Sequence, residues 1–337
     1  MRIHWREWRS GITSSEKRLL PVLSGLMAAL GLATALGANA QQYPNKAIHM
    51  VIGVAAGGAA DVVARLIAQK AGERLGQTIL VENRTGAGGT IGAALVAKSP
   101  ADGYTVLFVT ASHATNPTLH SKLPYDTLKD FAPVSGAIYQ PLVVVVNAQS
   151  KYKGLNDLIA DARARPGKLN YASAAGSGLV ALSAEVFREQ FKLNFVPINY
   201  KGSAPALAAL MANEVDFVFD TVGGVVGHVT AGRMRAIAVT TRQRATALPD
   251  VPTIAEVGAP GFDVLGWFGI LAPAGTPKPI VDRLNREIQW AQGQLKGQFK
   301  ELGVEPLEGS PEVFGNLVKS EVARWGAVIK RLGLAGD

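Results

Sequence analysis

Ile48-His49-Met50-Val51-Ile52-Gly53-Val54-Ala55-Ala56-Gly57-Gly58-Ala59-Ala60-Asp61-Val62-Val63 passes from an apolar run, through a glycine-rich junction, into a segment with helical periodicity. Ile48–Val54 is short enough for a buried strand. From Asp61 the apolar positions Val62, Val63, Leu66, Ile67, Ala71 and Leu75 recur at helical spacing until Gly76, which stands where a C-terminal cap belongs. Working outward, Ile79–Glu82 reads as a strand, Thr90–Lys98 as a helix ended by Pro100, and Thr105–Val109 as a strand entered through the turn Ala101-Asp102-Gly103. Strand, helix and strand at this spacing predict parallel pairing with right-handed crossovers.

A second series begins at the β-branched run Pro141–Asn147. Helices are predicted over Leu155–Ala164, Leu179–Phe191 and Pro205–Ala212, and strands over Leu169–Ala172, Phe195–Asn199, Val215–Phe219 and Arg235–Thr240. Leu248–Phe262, with Pro249, Pro252, Pro260 and Gly261, is the most linker-like stretch, and two amphipathic helices, Pro279–Gln292 and Pro311–Leu332, follow it.

The 337 residues are 48% hydrophobic and 18% charged with no cysteine, which excludes disulfide scaffolds, thiolate metal sites and thiol catalysis. Arg2, Arg6, Arg9, Lys17 and Arg18 precede an apolar run from Leu19 to Leu36, and Ala38 and Ala40 supply the small residues of an export signal, so residues 1–40 are expected to be cleaved after Ala40. That removal takes away five basic and two acidic side chains and leaves a formal charge of +5, too mild and too scattered for a nucleic-acid footprint.

No catalytic or metal constellation emerges. The histidines His4, His49, His113, His120 and His228 lack metal-ligand spacing, and Ala175-Gly176-Ser177-Gly178-Leu179 has its glycines beside the serine instead of two away, so no hydrolase elbow forms. Gly86-Ala87-Gly88-Gly89-Thr90-Ile91-Gly92 opens a helix after a strand, but its spacing fails the dinucleotide fingerprint; a tight turn is the better reading. No cofactor is expected. Two junctions carry more information: Gly57-Gly58-Ala59-Ala60-Asp61, and Ser173-Ala174-Ala175-Gly176-Ser177-Gly178. Each places unpaired backbone N–H groups, backed by a helix dipole, at the carboxyl end of a parallel sheet, which suits an anion.

Six further stretches, in order, are distinctive: Val81-Glu82-Asn83-Arg84-x-Gly86-Ala87-Gly88-Gly89, Asn199-Tyr200-Lys201-Gly202, Val215-Asp216-Phe217-x-Phe219-Asp220, Ala231-Gly232-Arg233-Met234-Arg235-Ala236-Ile237-Ala238-Val239-Thr240, Leu248-Pro249-Asp250-Val251-Pro252-Thr253 and Ala272-Pro273-Ala274-Gly275-Thr276-Pro277. Over residues 43–333 the chain resembles the Bug family, the extracytoplasmic solute-binding receptors of tripartite tricarboxylate transporters. The resemblance implies an α/β, two-lobed periplasmic binding protein fold of type II-like form, with two mostly parallel sheets flanked by helices, an interlobe cleft, and a small organic carboxylate as ligand. The family's first loop reads Pro-Phe-x-x-Gly-Gly-Pro-Thr-Asp; Gly57, Gly58 and Asp61 keep it, while Gly53, Val54, Ala59 and Ala60 depart. In the second loop Ser173 and Ala174 are kept, and Gly176, Leu179 and Ala181 replace polar residues. Backbone donors survive these changes; several side-chain donors do not.

The expected lobes are 43–141 with 263–337, and 142–262. The expected ligand site is Gly57, Gly58, Ala59, Ala60 and Asp61 with Ser173, Ala174, Ala175, Gly176, Ser177 and Gly178 for the carboxylate, Ser112 adding a hydroxyl, and Asp220 with Thr221 at the ligand's far end. Catalytic and metal residues are expected to be absent. The expected partners are integral-membrane permease subunits of a tripartite transporter, with the receptor a monomer. Two other readings of the same residues are a receptor that signals to a membrane partner and an exported α/β enzyme acting on a small carboxylate.

Overall fold

The computed structural model describes residues 43–173, 178–200 and 202–336, so the expected cleavage after Ala40 lies outside the described residues. Lys46–Asp337 form one compact unit. It opens with the units read from sequence: β1 (Ile48–Ile52), α1 (Ala59–Leu75), β2 (Ile79–Asn83), α2 (Thr90–Ala97) and β3 (Thr105–Thr110). β1 pairs in parallel with both β2 and β3, and Gly76 caps α1 in the left-handed region at φ 68°. α3 (Ser112–Leu119) follows, a helix that periodicity does not announce because Pro117 sits inside it.

β4 is the axis of the molecule. The β-branched run Pro141–Asn147 is the second half of a 17-residue strand that begins at Phe131. Its first half hides from propensity because it carries Pro133, Gly136 and Pro141, poor residues for a regular strand. Pro133 borders a register shift, and Pro141 stands where the strand changes partners, so the missing N–H groups fall where the ladder is irregular or ends.

Beyond β4 come α4 (Leu155–Ala164), β5 (Asn170–Ser173), α5 (Leu179–Phe191), β6 (Val196–Asn199), α6 (Ser203–Met211), β7 (Phe217–Thr221), α7 (Val222–Thr230), β8 (Met234–Val239) and the short α8 (Ile254–Val257). β9 (Leu265–Pro273), α9 (Lys278–Gln294), α10 (Lys296–Glu301), β10 (Glu305–Pro306) and α11 (Pro311–Arg331) complete the chain. β5 pairs in parallel with β6 and β7. The two parallel groups meet through antiparallel strands in the order β2-β1-β3-β9-β4-β7-β5-β6. Phe131–Pro141 pair with β9, whereas Leu142–Val145 pair with β7 and Val143–Asn147 with β8.

The apolar core follows this division. Around the second half of β4 lies an aromatic cluster in which Phe187, Phe195, Phe217 and Phe219 meet, mostly tilted or edge-on, at centroid distances of 5.2–6.3 Å. Around β3 and β9, Trp267 meets Phe314 of α11 edge-on at 5.7 Å. Each large side chain removed from water in this way contributes roughly 1.5–3 kcal/mol. The linker-like stretch Leu248–Phe262 is packed: Leu248, Ile254, Ala259 and Phe262 are buried. α8 is closed by a capping box in which Glu256 N donates to Thr253 Oγ1 (3.0 Å) and Thr253 N donates to Glu256 Oε2 (2.8 Å). α9 is tied to α1 through the buried Glu287, which meets Arg74 at 3.0 Å, Arg286 at 3.3 Å and Arg283 at 3.5 Å.

Candidate functional site

A cavity of about 280 Å³ opens at the carboxyl ends of β3 and β7, where α/β sheets present their helix starts. β3 and its following turn bring Thr110, Ala111 and Ser112; β7 brings Asp220 and Thr221; β4 and β9 pass beneath with Gln140, Leu142, Gly266, Trp267 and Phe268. The start of α5 supplies Gly178, Leu179 and Val180, and the start of α6 supplies Ser203.

The geometry at α5 follows from its sequence. Gly178 is the N-cap, extended at φ −78° and ψ 172°, and has no side chain with which to cap. The helix ladder begins with Leu182 N donating to Gly178 O (3.1 Å), and the amides before it find no side-chain cap among the described residues, so they stand at the positive end of the helix dipole where an anion or water is favoured. No lysine or arginine among the described residues lines this cavity.

Asp220 stands on another wall, only 3% exposed. Its Oδ1 accepts from Thr221 N (2.6 Å) and Thr221 Oγ1 (3.4 Å), and its Oδ2 accepts from the Ser203 hydroxyl. Burial pushes its pKa up, and these donors only partly offset the push. Thr221 also caps α7, its Oγ1 accepting from Gly224 N at 3.1 Å. Trp267 is 1% exposed, and its Nε1 has no partner among the described residues.

Of the residues singled out from sequence, Ser112, Gly178, Asp220 and Thr221 line this cavity. Ser173 is buried at the end of β5, its carbonyl accepting from Tyr200 N at 2.9 Å. Ala174, Ala175, Gly176 and Ser177 lie outside the described residues. Gly57, Gly58, Ala59, Ala60 and Asp61 are not in the cavity lining. Gly57–Ala59 are exposed, and Asp61 is turned inward to organise the loop. Its Oδ2 accepts from Gly57 N and Arg65 Nε, both at 3.0 Å, and its Oδ1 from Asn83 Nδ2 at 2.9 Å. Arg65 above all, then the Gly57 amide and Asn83, hold the Asp61 carboxyl down to about 2 against the effect of burial. Asn83 Nδ2 also donates to Val54 O (3.0 Å), fixing the loop to the sheet.

The turn Gly86–Gly92 packs backbone on backbone. A Cβ on Gly53 would lie 2.5 Å from Gly89 Cα, and Gly88 and Gly89 take φ of 66° and 90°, so glycine here serves close approach and turn geometry. His113 is buried between Tyr125 and Phe131, at ring distances of 6.0 and 5.2 Å. It borders a separate internal space of about 30 Å³. Burial lowers its pKa to about 4. Among the described residues no three histidine or acidic side chains gather to hold a metal.

Gln140, Ser203 and Trp267 escaped the sequence reading. Ser203 had a local signal, a small hydroxyl residue after Gly202 at a helix start; Gln140 and Trp267 come to the cavity only through the pairing of β4 with β9.

The model of the tripartite tricarboxylate transporter family receptor matches residues 63–334. This chain belongs to that family. Among its relatives, the UPF0065 protein in the tcbD-tcbE intergenic region of Pseudomonas sp. strain P51 is 38% identical over 311 residues, covering 91% of this chain and 93% of the relative. Protein BugT of Bordetella pertussis is 37% identical over 322 residues, covering 94% and 98%. Three solved structures share the receptor fold. Rpa4515 of R. palustris, determined with adipate, superposes with a TM-score of 0.78 at 37% identity, covering 88% of this chain and all of that one. The periplasmic binding protein BugD gives 0.75 at 34%, with the same coverage. MatC from Rhodopseudomonas palustris, with bound malate, gives 0.73 at 33%, covering 85% of this chain and 100% of its own. The chain therefore has the two-lobed fold of periplasmic solute-binding receptors, and its family is one of receptors, not of enzymes.

Proposed function

We propose that this receptor captures a small organic carboxylate in the cavity headed by α5 and delivers it to the integral-membrane permease subunits of a tripartite tricarboxylate-type transporter. The observation that carries this reading is the start of α5 at Gly178–Val180, whose amides have no side-chain cap among the described residues and stand at a positive helix end facing a cavity whose described lining holds no basic side chain. An anion is the ligand such a wall stabilises. Rpa4515 with adipate and MatC with malate place carboxylates in relatives of this fold.

In this reading the lobes are 43–141 with 263–337, and 142–262. The change of partner along β4 at Pro141 and Leu142 supports that boundary. So does the second crossing, where Thr240 and Val264 exchange hydrogen bonds: Val264 N donates to Thr240 O (2.8 Å) and Thr240 Oγ1 to Val264 O (2.6 Å). Rotation about these two crossings closes the cleft over the ligand. Gly178 and its helix amides take the carboxylate with Ser112, and Asp220 and Thr221 face the far end. The amides of the loops Gly57–Asp61 and Ser173–Ser177 join in holding the carboxylate when the cleft closes. The receptor works as an exported monomer cleaved after Ala40, and it binds its ligand without turning it over.

The test is a thermal-shift screen of the purified mature protein against carboxylic acids, followed by calorimetry and recovery of the bound compound. A ligand at a hundredfold its dissociation constant adds roughly 2.7 kcal/mol of stability. Unchanged, stoichiometric recovery supports the receptor; catalytic loss of the compound, or no carboxylate that binds, overturns the reading.

A further inference from the structure

β4 has a cavity on each side where it changes partners. Gln140 and Leu142 line the carboxylate cavity, and Pro141 between them lines a second space of about 270 Å³, because neighbouring side chains on a strand alternate sides. This rear space draws on both lobes as divided above, taking Ala245–Ala247 from one, and α10 with β10 and the turn before it from the other. The two walls are joined where Thr246 N (3.1 Å) and Thr246 Oγ1 (2.6 Å) both donate to Glu305 Oε1. The rest of the lining has two chemical parts. Pro141, Ala245, Ala247 and Val304 give it an apolar floor. Lys296 and Lys300, four residues apart on α10, bring two ammonium groups to one face. Lys296 meets Glu308 loosely, at 3.5 Å with side chains 63% and 61% exposed, and Lys300 Nζ has no ion-pair or hydrogen-bond partner among the described residues. Glu305, the one acid in the described lining, already accepts from Thr246.

Resting on the receptor reading and its lobe division, we propose that the rear cavity is a second binding site, for a small organic anion with an apolar body, and that its occupant tightens the grip of the carboxylate cavity in front. The two cavities lie on opposite sides of the crossing at Pro141, so a rotation that widens one narrows the other. An anion with its charge on Lys300 and its body between Val304 and Ala247 keeps the rear walls apart and so opposes opening of the front cleft. Gly303 carries the same displacement forward, since it lies against Gly223, two residues after Thr221 on the front wall. Coupling of this kind is reciprocal: the front ligand tightens the rear one by the same factor.

The probe is sodium benzoate, titrated against the isotope-labelled mature protein and followed by two-dimensional NMR, with sodium chloride at equal concentration as the blank. Saturable shifts are expected at the amides of Thr246, Ala247 and Gly303. Lys300→Glu should weaken the binding read there by at least about tenfold, the scale of one hydrogen bond to a charged group. Lys168→Glu, an exposed lysine elsewhere in residues 142–262, should leave it unchanged. Calorimetry then measures a carboxylate found by the thermal-shift screen, with and without saturating benzoate. The gain in its affinity should be about fivefold or more larger in the wild type than in Lys300→Glu, a comparison in which any competition by benzoate in front is common to both proteins. The proposal is overturned if the rear amides show no saturable shift, if Lys300→Glu binds benzoate as tightly as the wild type, if only Ser112, Gly178 and Thr221 respond, or if the two affinity gains are equal. Any of these leaves the carboxylate reading standing. If no carboxylic acid binds in front, that reading falls instead, and the titration at the rear amides alone decides this one.

Discussion

Gly303 lies so close to Gly223 that a Cβ placed on it would come within 2.7 Å of both the Cα and the amide nitrogen of Gly223. A Cβ on Gly223 would in turn strike the carbonyl oxygen of Leu302. This contact presses the turn before β10 against the first turn of α7, directly after Thr221 on the cavity wall. Backbone has little room to yield there, so Gly223→Ala is expected to lower stability by about 1–3 kcal/mol, the usual range for overpacking. Gly227→Ala lies on the same helix with open space around it and should gain up to about 1 kcal/mol from helix propensity. Urea midpoints of the two variants check the pair; equal shifts would mean that the contact is slack.

Val180→Glu carries a carboxylate to the start of α5. It should compete with an anionic ligand for the same amides and dipole while favouring the helix itself. Thermal stability is expected to hold, and affinity for any carboxylate ligand to fall more than about tenfold, a loss of over about 1.4 kcal/mol. Calorimetry with a ligand found by screening reads this directly.

His113 makes a pH-dependent contribution whose sign is fixed. Its folded pKa of about 4 lies below the usual imidazole value of 6.5, so in acid the unfolded chain binds a proton that the folded chain refuses. Stability from this group is complete above 6.5, declines as pH falls below that, and levels off below about 4. The loss is on the order of 3 kcal/mol. His113→Phe, which keeps an aromatic ring against Tyr125 and Phe131, should flatten this limb in urea midpoints recorded between pH 7 and 4.

Much of the strand–helix alternation before Lys192 is legible in sequence because each signal there is local. Gly76 announces the end of α1, and Leu155–Ala164 and Leu179–Phe191 are helices with the bounds their periodicity predicts. β9 is illegible for a tertiary reason. Gly266 and Gly269 read as strand breakers, yet a Cβ on Gly266 would lie 2.9 Å from Gln140 O, and one on Gly269 would collide with the ring of Phe314. Their glycines are demanded by neighbours remote in sequence. α7 is hidden in the same way by Gly223, Gly224 and Gly227. Of the candidate site, Ser112, Asp220 and Thr221 announce themselves as polar residues at strand ends, whereas Gln140 and Trp267 have no sequence signal apart from the register Gln140↔Gly266 and Tyr139↔Trp267.

Glu287 holds three arginines while fully buried. Glu287→Ala should destabilise the fold by about 1–3 kcal/mol. That is less than the 3–5 kcal/mol typical of breaking a wholly buried pair, because Arg74, Arg283 and Arg286 are each more than a third exposed and can rehydrate. Equilibrium unfolding checks it, and Glu287→Gln should recover part of the loss.

The place of β9 in the sheet dictates an order of events for the nascent chain. It sits between β3 and β4, pairing Leu107 with Leu271 and Phe131 with Pro273. β1, β2, β3 and the first half of β4 are all made long before it. Until Leu265–Pro273 arrives, β3 and β4 each present a naked edge of unpaired N–H and C=O groups, the template on which strands of other molecules pair. Residues 142–262, whose β4 to β8 pairings are complete within that stretch, meet no such delay. A chain cut short before Leu265 is therefore expected to aggregate through its early strands, and the intact chain has most need of a chaperone while β9 is still to come.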